Sequence, residues 1–360
     1  MTVAAPPSEQ PLTALVTGFP LDAARRVALE LAHHGDRVLL LTRDKFATEA
    51  KALAAEIAAT TPGQLEILDG DILALDLGLD GATVHRLADE VEEIHHLAAI
   101  HYMGIDAPRM RQVNVEGLRE VLELALGFQK LRRICAWSTV FVAGNRTGTV
   151  HEHQLMHGQR FRNAYERTKA EAERLARAAM PKLPLTVVRV PNLLGDSRTS
   201  EAARMDGVFA LCSQIVHAQT AVVLPVPGGH PLHVLPIEFA VRAAVALTRH
   251  PGAVGGTFHL VDPKPMTARA FFDAVADAAG RPRPVVTLQS RLGHALAKLP
   301  TLSGRQRHDR SLLGWFENDV RFDATRAAAL LGNLRCPPAH AYIDALVHWL
   351  RDRDERPHDA

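Results

Sequence analysis

The sequence predicts an α/β fold, a doubly wound parallel sheet with a smaller C-terminal α/β substrate lobe. Three observations predict it. Short β-rich runs alternate with longer helical patterns through the first half of the chain. The runs are nearly continuous in apolar residues, as strands covered by helices on both faces must be. After Gly195 the pattern changes and turn signals multiply, at Asp196-Ser197, Pro225-Val226-Pro227-Gly228-Gly229 and His250-Pro251-Gly252.

The elements follow in order. Leu12–Thr17 reads as the first strand and Ala23–His34 as the helix behind it. Arg37–Thr42 is the second strand, and Ala47–Ala59 is a helix ended by Thr61-Pro62-Gly63. Leu65–Leu68, Glu93–Ala98, Leu131–Ser138 and Leu185–Val190 supply strands three to six, with helices over Arg109–Gly127 and Tyr165–Met180. Right-handed connections between such units give a Rossmann sheet, whose ligand crevice lies at the carboxyl ends of the strands. The expected division is a disordered leader over residues 1–11, the sheet domain over 12–195, a lobe over 196–352 and a polar tail over 353–360. The lobe carries helices Ile237–Arg249, Ala268–Ala279 and Tyr342–Arg351, a strand near Thr257–Val261, and some returns to the sheet.

Composition excludes several classes. The chain has 360 residues, so at ~150 per domain it holds two domains or one domain with an appended lobe. Lys+Arg 41 against Asp+Glu 40 leaves a net charge of +1, without the basic excess of a nucleic-acid binder. No apolar run reaches the ~18 residues of a membrane span, and Met1–Leu12 lacks the charge and apolar core of a secretory signal. Cys135, Cys212 and Cys336 are odd in number and far apart, which fits a reduced cytoplasm. The histidine clusters lack a second ligand set, so no metal is expected.

The first strand–helix turn reads Val16-Thr17-Gly18-Phe19-Pro20-Leu21-Asp22-Ala23-Ala24. A dinucleotide turn needs small residues for the bend, for the pyrophosphate and for helix packing. Gly18 keeps the first place, whereas Leu21 and Ala24 hold the second and third. Asp22 puts a carboxylate where a helix N-terminus attracts an anion, although such a residue is also an ordinary N-cap. Arg25 and Arg26 stand one turn on, where they would offset it. After the second strand, Arg43 suits a ribose 2′-phosphate, which selects NADP over NAD. After the third strand, Asp69-Gly70-Asp71-Ile72 sets a carboxylate beside a short apolar residue, which can accept from an adenine amino group, and Leu97-Ala98-Ala99 would let a cofactor lie against the backbone.

The sharpest signal is Ser138-Thr139 ending the fifth strand, followed by Tyr165 and Lys169 on one helix face. A phenol of pKa about 10 becomes a usable proton carrier beside an ammonium. Tyr165 would protonate a carbonyl oxygen as hydride arrives, and Thr139 would hold that oxygen by a hydrogen bond.

These blocks resemble the extended short-chain dehydrogenase/reductase family along nearly the whole chain. They include Thr17-Gly18, Gly70-Asp71-Ile72, His96-Leu97-Ala98-Ala99, Asn114-Val115-Glu116-Gly117, Ser138-Thr139-Val140 and Arg189-Val190-Pro191-Asn192-Leu193-Leu194-Gly195. Phe161–Lys169 and Gly195–Thr199 are most similar to its male-sterility/thioester-reductase-like subgroup. The resemblance implies NAD(P) binding, a Thr139/Tyr165/Lys169 triad, Lys169 on the nicotinamide ribose, and Val190 and Pro191 beside the nicotinamide. It also implies a homodimer through the helices over 109–127 and 165–180.

The leading expectation is therefore an NADP-dependent oxidoreductase. Its substrate would be a small or carrier-bound, apolar metabolite, with no nucleic-acid or membrane partner. Cofactor contacts are assigned to Thr17, Gly18, Phe19, Pro20, Leu21, Arg43, Asp71, Ile72, Leu97, Ala98, Ala99, Lys169, Val190 and Pro191. Asp206, Gly207, His230, His233, Trp315 and Phe316 are candidates for the substrate pocket, with Val222–Pro227 as an apolar wall. Two alternatives stand beside it. One is an NAD-dependent nucleotide-sugar epimerase or dehydratase, with which Asn192 is compatible. The other is a family member that has lost its nucleotide and serves as a binding subunit, motivated by Leu21.

Overall fold

A computed structural model describes residues 10–102, 104–199, 207–224, 228–286 and 319–354. The first half runs β1 (Thr13–Thr17), α1 (Asp22–His33), β2 (Arg37–Thr42), α2 (Ala47–Thr60), β3 (Gln64–Asp69), α3 (Gly81–Glu90) and β4 (Glu93–His96). It continues through α4 (Ala107–Arg111), α5 (Gly117–Ala125), β5 (Arg133–Thr139), β6 (Gly148–Val150), α6 (Ala164–Ala179) and β7 (Leu185–Val190). The second half holds β8 (Asn192–Leu194), α7 (Val208–His217), β9 (Val223–Leu224), β10 (Val234–Pro236), α8 (Ile237–Arg249), β11 (Thr257–His259) and α9 (Ala268–Ala278). β12 (Val285–Val286), β13 (Val320–Phe322), α10 (Thr325–Leu331) and α11 (Ile343–Asp354) complete it.

Seven strands form one parallel sheet in the order β11-β7-β5-β4-β1-β2-β3. The chain builds outward from β1 to β3, then returns to place β4 on β1's other side. That reversal opens a crevice at the carboxyl ends of β1 and β4. Val38 to Leu41 of β2 are all buried, because both faces are covered. Residues from α1, α2 and α8 pack on one face and residues from α3, α5 and α6 on the other. A separate core joins α7, α9 and α11 in the lobe.

Although α8 and β11 come after Gly195, both belong to the sheet layer. The Arg249 side chain at the end of α8 donates to Glu93 at 2.9 Å and also reaches Asp36. Asp36 in turn accepts from the Leu12 N–H at 2.9 Å. The expected helix over Arg109–Gly127 is broken by a π turn at Gln112–Glu116. Its register turns Asn114 inward, into a buried position. The strand expected to reach Ala98 stops at His96, because Leu97–Ala99 leave the sheet to wall the crevice. Helix α3 has no counterpart in the sequence reading. Its signal is Asp80, whose side chain accepts from the Thr83 N–H at 3.0 Å as an N-cap.

Helix α6 is fixed to the sheet by buried charge. Glu173 takes three hydrogen bonds from Arg189, at 3.2, 2.9 and 2.7 Å, one from Arg177 at 2.9 Å, and one from the Ser138 hydroxyl at 2.7 Å. Arg189 also donates to the Gln154 carbonyl at 2.6 Å and meets His259 Nε2 at 2.9 Å. Burial, followed by the Arg189 charge, pushes the His259 imidazole down to about 3, so it is neutral and accepts. Burial alone would raise Glu173, but Arg189 holds its carboxyl below the usual range. Removing one member of such a cluster strands the other charge. Glu173→Ala is expected to cost about 3–5 kcal/mol in urea unfolding, and the Glu173→Leu/Arg189→Met double variant to recover most of that loss. Equal loss in both variants would show that the charges do not balance each other.

Candidate active site

At the carboxyl end of β5 the hydroxyl pair splits. Ser138 turns to Glu173, as described above, whereas the Thr139 hydroxyl hydrogen-bonds the Tyr165 phenol oxygen. Tyr165 sits in the first turn of α6, which Asn163 caps by accepting from the Glu166 N–H at 2.9 Å. Lys169 follows on the same face, and its ammonium donates to the Trp137 carbonyl at 2.7 Å. Both side chains are buried, Tyr165 to 7% exposure and Lys169 to 8%. Burial pushes the phenol up to about 12 against the Thr139 hydrogen bond. Burial also brings the Lys169 ammonium down to about 8, with Glu173 opposing. Next to them, His96 shares a 2.9 Å hydrogen bond with the Thr17 hydroxyl, and burial followed by the Lys169 charge drives it down to about 3.

These groups open onto a cavity of about 1780 Å³ that runs from the β1–α1 turn past Tyr165 and Lys169 to α7. Gly18, Phe19, Pro20, Leu21, Arg43, Asp71, Ile72, Leu97, Ala98, Ala99, Tyr165, Lys169 and Val190 all line it. Thr17, Thr139 and Pro191 do not. Thr17 lies beneath the wall on His96, Thr139 is covered by its contact with Tyr165, and Pro191 is buried while Leu193 and Leu194 take its expected place. Gly207 and Val222 line the far end. His233 does not: it is buried and bonds the Val320 carbonyl at 2.8 Å. His230 is also outside the lining. Asp206, Trp315, Phe316 and Pro225–Pro227 lie outside the described residues.

The β1–α1 turn needs glycine at its first place so that it can pack against the backbone after β4. Gly18 has φ +106°, and a Cβ there would stand 2.7 Å from the Ala98 nitrogen. Only glycine meets both demands. Leu21 packs in part on the core shared by α1 and α8 and leaves the cavity continuous past it. Arg26 pairs with Asp22 at 3.2 Å and reaches Asp196 at 3.6 Å, so the carboxylate is compensated. Arg25 serves elsewhere, on Glu56 at 2.7 Å. Arg43 is exposed at the cavity edge, its guanidinium 5.5 Å from the centre of the Phe46 ring. Asp71 Oδ1 caps its own turn by accepting from the Leu73 N–H at 3.0 Å. Ile72 fits because Gly117 has no side chain; a Cβ there would meet the isoleucine methyl at 2.5 Å.

Sequence reasoning assigned no role to Asn114 or His101. The Asn114 side chain accepts from the Ile100 N–H at 2.7 Å and donates to the Ile100 carbonyl at 3.2 Å and to Thr168 Oγ1 at 3.0 Å. His101 follows Ile100, lines the cavity and lays its ring 5.6 Å from that of Tyr165. The block containing Asn114 was visible in the sequence. His101 sits in a loop without periodicity and carried no signal.

The sequence profile of the family described as Male sterility protein matches residues 31–244. The chain is 27% identical over 293 residues to a carboxylic acid reductase of Mycobacterium tuberculosis, covering 71% of this chain and 25% of that protein. It is 23% identical over 212 residues to the fatty acyl-CoA reductase wat of Drosophila melanogaster, covering 51% and 41% respectively. The chain thus spans well under half the length of both relatives. Among solved structures, the terminal R domain from the myxalamid PKS-NRPS biosynthetic pathway superposes with a TM-score of 0.78 at 25% identity, covering 98% of this chain and 93% of that one. The chain belongs to the male sterility protein family, the thioester-reductase-like branch of the NAD(P)-dependent short-chain dehydrogenase/reductases.

Proposed function

We propose that this chain is an NADP(H)-dependent reductase of an apolar acyl group, presented as a thioester on a small molecule or a carrier, or as the derived aldehyde. The observation that carries the reading is the joint placement of Tyr165 and Lys169 on one buried face of α6. Both open onto a cavity continuous with the Gly18 turn. The carboxylic acid reductase and fatty acyl-CoA reductase relatives support the substrate class. So do the apolar Phe209 and Ala210 of α7 and Val222 beyond it, which line the cavity beside the polar Ser213, Gln214 and His217.

The residues fit a nicotinamide cofactor. Gly18 and the small side chains of Ala98 and Ala99 line the cavity along the strand ends, and the Asp22 carboxylate there is compensated. When bound, the cofactor supplies the hydride. Arg43 would hold a 2′-phosphate, and Lys169 would hold the nicotinamide ribose. The Tyr165 phenol, protonated across the neutral range, gives its proton to the carbonyl oxygen. Thr139 orients the phenol through their hydrogen bond. Arg43 also argues against the epimerase reading, whose NAD favours an acid at that place.

The test is oxidation of NADPH, followed optically, with octanoyl-CoA and octanal. Tyr165→Phe is expected to lower kcat by about 10²–10⁴-fold while NADPH binding by calorimetry stays intact. A Phe variant working at the parent rate would remove Tyr165 from the chemistry, and a folded protein giving no heat with NADH or NADPH would favour the cofactor-free binding subunit.

Cofactor choice gives a second expectation. A charged hydrogen bond contributes about 1.5–3 kcal/mol, so Arg43→Ala should weaken NADPH binding by about 10–100-fold and leave NADH unchanged. Equal weakening of both would deny Arg43 a role at the 2′ position.

A third concerns pH. Lys169 is lowered to about 8 and Tyr165 raised to about 12, so the ammonium is lost first as pH rises. The kcat/KM for reduction is expected to fall above about pH 8 and stay flat below that value. Lys169→Arg should move this limb upward, since a guanidinium stays charged. A limb that does not move belongs to another group.

A further inference from the structure

We infer that Arg109 binds the phosphate of a phosphopantetheine arm and so sets which thioesters this chain accepts; the inference rests on the reductase reading above. Coenzyme A and a carrier domain both present an acyl group on that arm. The arm has a thioester at one end, amides along its length, and at the other end a dimethyl-substituted carbon next to the phosphate. A site that tells such a substrate from a bare acyl thioester needs a cation at the rim, with apolar surface beside it.

Arg109 stands at that rim, on the side of the reacting groups. It is exposed and lines the cavity. The segment that carries it is held against α6 at both ends. Asn114 ties the N–H and carbonyl of Ile100 to Thr168, which lies between Tyr165 and Lys169. Arg111 pairs with Glu171, two residues past Lys169. Arg43, the other arginine of the lining, follows β2, two strands away from β4 in the sheet. The cavity therefore has one arginine towards the end proposed for the nucleotide and a second beside the helix of Tyr165 and Lys169.

The arginines around α4 differ in what holds them. Arg111 pairs with Glu116 at 2.6 Å as well as with Glu171, and Arg119 pairs with Glu116 at 2.9 Å. The Arg109 guanidinium instead donates to a neutral amide, Gln112 Oε1, at 2.7 Å. Among the described residues no carboxylate pairs with it. Asp106, on the same segment, is turned to the backbone, where it accepts from the Arg109 N–H at 2.9 Å. An amide orients a guanidinium without cancelling its charge. The remaining N–H donors keep the fork geometry that suits phosphate oxygens.

The same segment supplies the apolar surface. Tyr102 and Ile105 line the cavity and are 40% and 37% exposed. A cation flanked by an aromatic ring and a branched aliphatic chain matches the phosphate end of the arm, where the dimethyl-substituted carbon adjoins the charge. A free fatty aldehyde has no group for Arg109 to bind.

Octanoyl-pantetheine and octanoyl-phosphopantetheine differ only in that phosphate. With NADPH, the wild type is expected to favour the phosphorylated ester by about 10–100-fold in kcat/KM, chiefly through KM. Arg109→Gln should bring the phosphorylated ester down to the level of the other, while NADPH affinity by calorimetry holds. Arg109→Lys should keep part of the preference, since an ammonium also attracts phosphate, and added KCl should shrink it. Octanoyl-CoA and an octanoyl group on an acyl carrier protein separate the two sources, the larger kcat/KM marking the one this chain uses. Arg109→Gln should weaken both. Weakening of one alone would place Arg109 on the nucleotide of coenzyme A or on the carrier's surface, and would overturn the inference. A wild type indifferent to the phosphate, or active on octanal and on no thioester, overturns it and leaves the reductase reading in place. So does an Arg109→Gln variant whose loss is in NADPH affinity. A wild type inactive on every carbonyl with either cofactor overturns both.

Discussion

The buried contact between Glu173 and Arg189 is the constraint on which the site depends. Tyr165, Lys169 and Glu173 stand at successive turns of one face of α6. The first two must meet the end of β5 with the accuracy of a hydrogen bond. A helix packed only by apolar contact slides and rolls by fractions of an ångström. Glu173 opposes that motion by bonding Arg189 on β7 and Ser138 on β5 together. Charge-assisted, near-bidentate geometry is the stiffest link available between a helix and a sheet. Its desolvation cost is large, so the pair makes more sense as a device for registry than for stability.

Asn114 applies a similar logic on the other side of the site. A neutral amide fully used by three groups costs little in burial. It connects the loop after β4 to α6 without introducing another charge beside Lys169. That matters electrostatically, because an added charge would change an ammonium already weakened by burial. The site therefore takes its rigidity from one charged link below Lys169 and one neutral link beside Tyr165.

Much of this was legible in the sequence. The continuous apolar strands, the Tyr165/Lys169 spacing and the Arg189…Gly195 block identify the sheet and the helix that carries Tyr165 and Lys169, because each is a local pattern. What was not legible depends on geometry between distant segments. Ser138 and Thr139 are adjacent in sequence, yet their side chains point apart and only the structure shows which one meets the phenol. Thr17, although part of the turn, is drawn under the wall by a residue 79 positions away. The break of the helix at Gln112–Glu116 also escapes periodicity, since a π turn shifts the apolar stripe by one residue. His233, an expected pocket residue, is spent on a β13 carbonyl because the strand returns to the lobe from the chain's far end.

The glycine turn shows how a departure from pattern can be absorbed. Read alone, Leu21 and Asp22 oppose an anion: one by volume, the other by charge. In the structure each problem is met by a neighbour. Leu21 sits where α1 and α8 offer apolar surface, so its side chain gains from burial there. Asp22 is matched by Arg26 one turn on, and Arg26 also satisfies Asp196 from the lobe. The net field at the helix N-terminus is then set more by the backbone N–H groups than by the carboxylate. The exposed Arg43 adds a positive charge at the cavity's edge. A turn with only one of three glycines therefore keeps its electrostatic character, because the second and third positions matter through the space and charge they leave, and both are restored from outside the motif.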